Sequence, residues 1–160
     1  MDDPTRQLAA KSDALRLLSF KPRSVEELRA RLAQKKKYTA ETIEEVIALL
    51  TRQGLLDDVK FAKLYAHSRV HTRPAGRRQI ELDLKKKGLG PELVAKTLGE
   101  LGDYDEKQAA KDLVSGRFQK MTGVSAEKKK ARLFGFLARR GFKTDVILSA
   151  LSELFHDLDG

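Results

Sequence analysis

LKKKGLGPELVAKTLGEL, residues 84–101, is followed 53 positions later by LARRGFKTDVILSALSEL, residues 137–154. With Ile80 and Leu133 as origins, the two stretches run in register over 22 positions. Leu84 pairs with Leu137, Gly88 with Gly141, Leu89 with Phe142, and Leu98 with Leu151. A third copy starts at Leu28, continues through Leu32 and, after one inserted residue, resumes at Tyr38, Ile43, Ile47 and Leu50, with no glycine at its turn. Self-similarity at a fixed period marks a repeat architecture.

Apolar spacings of three and four residues fit a helix and not a strand. The frame therefore predicts a helix, a turn at Gly88 or Gly141, and a second helix. Glycine takes the left-handed conformation that closes a helix, and the apolar residue after it folds back on the last turn. Pro91, Thr144 and Thr39 suit helix starts. Another helical pattern precedes each hairpin, over residues 8–20 with Leu15 and Leu18, 58–71 with Phe61, Leu64 and Tyr65, and 105–120 with Ala109 and Leu113. Ser24 and Glu27 have capping-box spacing, Gly54 is a C-cap candidate, and Asp57 or Asp58 is the next N-cap. No segment alternates as a strand does. The expected fold is all-α, three tandem three-helix repeats resembling helix-turn-helix units, in an elongated, curved array. The expected boundaries give repeats at 1–57, 58–104 and 105–160.

The 160 residues are 41% hydrophobic and 34% charged, with a net charge of +9 and no cysteine. That excludes disulfides, thiolate zinc sites and a cysteine nucleophile. The opening MDDPTRQLAA is acidic and then polar, unlike a secretory signal, and no apolar run is long enough to span a bilayer, so a cytoplasmic protein is expected. The excess of positive charge favours a polyanionic or acidic partner.

That charge is unevenly distributed. The second helices, residues 25–37, 77–87 and 127–140, hold sixteen Lys and Arg against five Asp and Glu; the third helices, 40–53, 91–101 and 144–157, hold two against eight. Lys35 to Lys37, Lys85 to Lys87, Arg139 and Arg140 lie in last turns, where the helix dipole alone accounts for cations. Arg77, Arg78, Lys128, Lys129 and Lys130 lie near helix starts, where positive charge opposes the dipole, and so point more strongly to a ligand. The candidate contact set is Arg69, Arg73, Arg77, Arg78, Lys85, Lys86, Lys128, Lys129, Lys130, Arg132, Arg139 and Arg140. A solvated face is the competing explanation for any one of them.

His67 and His71 have the spacing of a helical metal pair, but no third ligand accompanies them. GLGPE lacks the context of a phosphate loop. No nucleophile, base and orienting group come together, so neither catalysis nor a cofactor is expected.

ALRLLSFKPRSVEELRARL, GLLDDVKFAKLYAHSRV, GRRQIELDLKKKGL and FLARRGF together resemble the RecX family, regulators of the bacterial recombinase RecA, across residues 14–154. The middle repeat carries most of the likeness, through Asp57, Asp58, Phe61, Ala62, Ser68, Arg69, Gly76, Ile80, Leu84, Lys87 and Gly88. KKKY replaces the Lys-Gly-aromatic turn of the first repeat, and Asp83 stands where glutamate is common. The resemblance implies a non-enzymatic modulator that lies in the groove of the RecA filament on single-stranded DNA, bridges protomers, and inhibits ATP turnover and strand exchange. A monomer with weak nonspecific DNA contact as an accessory activity is expected. The alternative is a sequence-specific helix-turn-helix DNA-binding protein. Acidic Glu44, Glu45, Glu92, Glu100, Asp145 and Glu153 on the third helices oppose it, because phosphates repel them.

Overall fold

A computed structural model describes residues 3–159, and among these residues it contains nine helices and no strand. The first triplet is α1 Pro4–Phe20, α2 Val25–Gln34 and α3 Ala40–Arg52; the second is α4 Asp58–His71, α5 Arg77–Lys86 and α6 Pro91–Gly99. The third is α7 Glu106–Gln119, α8 Ala126–Arg139 and α9 Thr144–Asp159. The helix α1 begins earlier than the apolar pattern suggests, because Asp3 caps the Thr5 amide at 3.0 Å and Pro4 occupies the first turn.

Two compact units emerge, Met1–Leu64 with Leu84–Val94, and Tyr65–Asp83 with Ala95–Gly160. In the first, Ala10, Ala14, Leu28, Leu32, Ile43, Val46, Ile47, Leu50 and Leu56 form one buried cluster. In the second, Ala110, Val114, Leu133, Leu137, Phe142, Ile147, Ala150, Leu151 and Leu154 do the same. The frame positions of Leu28 and Leu32 recur as Ile80 and Leu84, and as Leu133 and Leu137, and all six side chains are fully buried. Each stabilises its unit by about 1.5–3 kcal/mol through apolar transfer. Leu15 and Leu64, which mark the apolar patterns of α1 and α4, are 37% and 60% exposed. Ala10, Ala14, Ala62 and Ala66 are buried on these two helices, since small side chains let helix backbones approach closely.

The turns follow one chemistry. At Gly88, with φ 79°, the Gly88 amide donates to the Lys85 carbonyl at 2.9 Å and the Leu89 amide to the Leu84 carbonyl at 3.2 Å. Gly141, also at φ 79°, repeats the pattern with Ala138 and Leu137, and Leu89 and Phe142 are buried beneath the caps. These are Schellman caps. The corresponding residue of the first repeat is Lys36, and it adopts φ 54°, the only non-glycine among the described residues with positive φ. A side chain there costs about 1–2 kcal/mol. Lys36→Gly should therefore raise the stability of the first unit by about 1 kcal/mol, after the greater chain entropy of glycine is deducted. Urea denaturation measures this, and an unchanged or lower midpoint would refute it.

The insertion after Lys36 has a second consequence. Tyr38 donates its hydroxyl to the buried Asp13 carboxylate at 2.5 Å, which Lys35 and Lys37 each approach to 3.0 Å. The Tyr38 hydrogen bond, with those of Lys35 and Lys37, holds the Asp13 carboxyl well below the usual carboxylate range in spite of its burial. Two of the three lysines of KKKY thus act inside the first unit.

Second helices are joined end to end by an equivalent contact in each unit. In the first, Ser24 completes its capping box with Glu27, donates its hydroxyl to the Lys87 carbonyl at 2.6 Å, and Lys87 Nζ reaches Glu27 at 2.8 Å. In the second, the Gly76 amide donates to the Arg140 carbonyl at 2.9 Å. Ser24 and Gly76 occupy the same frame position, as do Lys87 and Arg140. A Cβ on Gly76 would overlap the Gly141 carbonyl, and one on Gly141 would overlap Gln79. Glycine is required on both sides of this joint because two backbones meet there.

Candidate nucleic-acid and protein interface

Cations that start a helix behave in two ways. The Arg77 guanidinium donates to the Gly102 carbonyl at 2.9 Å and the Tyr104 carbonyl at 3.2 Å, and lies 5.6 Å from the Tyr104 ring centroid. Glu106 accepts from the Arg77 amide at 2.8 Å and comes within 3.7 Å of its Nε. Arg77 thereby closes the 100–106 turn onto α5. Burial pushes the Tyr104 phenol up to about 12, and its hydroxyl donates to the Ala75 carbonyl at 2.8 Å. Arg78, by contrast, is exposed, as are Lys128, Lys130, Arg132 and Arg139 on α8. Lys129 and Lys130 lie 4.5 and 4.7 Å from the ring centroids of Phe118 and Phe155, which themselves meet edge to face at 5.3 Å. Those rings hold the lysine stems over the α7–α9 face. Lys85 and Lys86 are exposed at the end of α5.

The end of α4 and the end of α8 bring further arginines together in the second unit. Arg140 donates Nη1 to the Pro74 carbonyl at 3.3 Å, and its guanidinium carbon lies 5.2 Å from the Phe136 centroid. Arg117 of α7 stacks on the same ring at 3.9 Å. Burial, then the positive charges of Arg69, Arg73 and Arg117, pull the Arg140 guanidinium below its ordinary value. The Nε of Arg69 is buried with no hydrogen-bond partner, 3.7 Å from an Asp83 oxygen. That oxygen already accepts from the Tyr65 hydroxyl at 2.6 Å, and the other accepts from Gln79 at 2.7 Å.

Arg117 and Phe136 lie outside the candidate contact set of the sequence. Phe136 reads as core, yet it is only partly buried and carries two guanidiniums. Arg117 lies in a last turn, where the dipole suffices as an explanation. In the fold, Arg69 and Arg117 each lie eleven residues after the start of the first helix of their repeat, an equivalence that the structural helix starts make visible.

The remaining chemistry is sparse. The His67 and His71 rings lie 4.3 Å apart, and no group of three metal-ligating side chains occurs among the described residues. No described helix is long and apolar enough to cross a membrane.

Comparison with known proteins agrees with this arrangement. Residues 10–50, 57–98 and 103–151 match, in order, the first, second and third three-helix domains of RecX. A regulatory protein RecX of Amycolatopsis mediterranei is 34% identical over 148 residues, covering 92% of this chain and 84% of that one. One from Pelodictyon phaeoclathratiforme is 36% identical over 141 residues, covering 88% and 86%. The crystal structure of RecX from Lactobacillus salivarius superposes with a TM-score of 0.72 at 24% identity, over 92% of this chain and 96% of that one, which supports the fold alone. Three successive domain matches and relatives of this identity over nearly the whole length place the chain in the RecX family of regulatory proteins.

Proposed function

We propose that this chain, as a cytoplasmic monomer without catalytic activity, binds in the groove of the RecA filament on single-stranded DNA and restrains ATP turnover, strand exchange and filament persistence. Membership of the RecX family carries this reading, through the three domain matches. The three repeats, divided near residues 57 and 104, act as successive modules, each adding contacts too weak to hold alone. Exposed Arg78, Lys128, Lys130, Arg132 and Arg139 on the second helices supply charge suited to acidic protein surface and to phosphate.

Arg77 is left out of that contact surface, since its side chain serves the turn that follows α6. Replacing Arg78, Lys128, Lys130 and Arg132 together by Ala should leave helical content intact and raise the concentration needed to inhibit RecA ATPase on single-stranded DNA by about tenfold. Undiminished inhibition by the folded variant would remove this face from the mechanism. The helix-turn-helix alternative fares poorly, because Glu44, Glu45, Glu92 and Asp145 are exposed on the third helices, where a recognition helix meets DNA.

A further inference from the structure

Lys87 and Arg140 hold the same frame position at the two joints, but their surroundings differ in charge. Lys87 meets the Glu27 carboxylate at 2.8 Å. The residue equivalent to Glu27 in the next repeat is Gln79, which turns its amide to Asp83 instead. Arg140 has therefore lost the carboxylate that the repeat frame provides, and three more cations, Arg69, Arg73 and Arg117, lie close enough to act on it. Among the described residues Arg73, Arg117 and Arg140 have no carboxylate within ion-pair distance, and the single carboxylate beside Arg69 is occupied by Tyr65 and Gln79. Partly buried positive charge without compensation is costly, and an anion relieves it. Guanidinium groups match the geometry of tetrahedral oxyanions, offering several N–H donors in a planar fork.

We propose that Arg69, Arg73, Arg117 and Arg140, with Phe136 supporting two of them, form a phosphate-binding site in the second unit. The outer N–H groups of Arg73 and Arg117 donate to phosphate oxygens, while Arg69 and Arg140, the latter held by the Pro74 carbonyl, supply charge from beneath. The phosphodiester of a single strand is the ligand, with a free nucleotide phosphate offering the same chemistry. The choice of nucleic acid rests on the filament reading above; the anion chemistry does not.

The test uses the full chain without recombinase, so that its outcome is separate from the filament reading. Binding to a short oligothymidylate is measured by fluorescence anisotropy over a salt series, and thermal stability is measured with inorganic phosphate or adenosine monophosphate against chloride at matched ionic strength. Three variants are compared. Arg73→Ala/Arg117→Ala removes two exposed donors, Gln79→Glu restores the carboxylate of the repeat frame, and Lys96→Ala removes an exposed charge on α6. Phosphate should stabilise the parent chain, and the first two variants should abolish that stabilisation. They should also weaken oligothymidylate binding by about tenfold and make the dependence of log K on log salt shallower by about 1–2. Lys96→Ala should stay within about twofold. Loss of phosphate stabilisation with unchanged oligothymidylate binding would support the site and identify a free phosphate as its ligand. If inorganic phosphate has no effect on the parent chain and the first two variants bind the oligonucleotide as the parent does, the site is refuted. Inhibition of RecA by such variants is a separate measurement, and its persistence would leave the filament reading standing.

Discussion

Gly141→Ala is expected to lower stability by about 3 kcal/mol, the sum of a left-handed backbone penalty and an overpacked joint. Gly141 sits at φ 79°, and an added Cβ would overlap Gln79 at the start of α5. Either the Schellman cap of α8 opens or α5 is displaced, and both routes disturb the Gly76–Arg140 backbone hydrogen bond. Gly123→Ala supplies the comparison. Gly123 also has positive φ, 69°, but nothing lies within 4 Å of a Cβ there. That change should cost about 1 kcal/mol, the backbone contribution alone. Thermal unfolding should place the two variants roughly 6–12 °C and 2–4 °C below the parent. Equal losses would mean that the joint is not close-packed.

Arg77→Ala is expected to destabilise the second unit by about 2–3 kcal/mol, whereas Arg78→Ala should change stability by less than about 0.5 kcal/mol. The adjacent arginines look interchangeable in sequence. In the fold, Arg77 satisfies the carbonyls of Gly102 and Tyr104 and faces the largely buried Glu106, so its removal leaves acceptors and a carboxylate without their cation. Arg78 projects into solvent. In RecA ATPase assays the order should reverse, with Arg78→Ala affecting inhibition at temperatures where both variants are folded. Denaturant melts of the two single variants measure the first part directly, and similar stability losses would contradict this division of roles.

Much of the fold was legible because its determinants are local. Leu84 and Leu137, the caps at Gly88 and Gly141, and the Ser24–Glu27 box all act within one or two helical turns, and periodicity exposes them. The buried faces of α1 and α4 were less legible, because they carry Ala10, Ala14, Ala62 and Ala66 while Leu15 and Leu64 are exposed, and apolar size is then a poor guide to orientation. Lys36 shows the limit of residue preference: the frame demands a left-handed cap, and a lysine takes it at a local cost that the repeat structure overrides. The candidate site was less legible. Charge per helix was readable, but whether a cation faces outward or closes a turn depends on partners distant in sequence. Arg77 reaches residues 102–106, Lys87 reaches Glu27, and Arg117 meets Arg140 over Phe136. Those pairings require the tertiary joints, which carry no local signature.

Retention on preformed RecA filaments, assembled on single-stranded DNA and sedimented at several salt concentrations beside naked single-stranded and duplex DNA, tests the proposed filament binding most directly. Binding in the filament groove requires retention well above that on either naked DNA at each salt concentration, declining as salt rises. Equal retention on naked DNA, or selective retention on one duplex sequence with none on the filament, would contradict it.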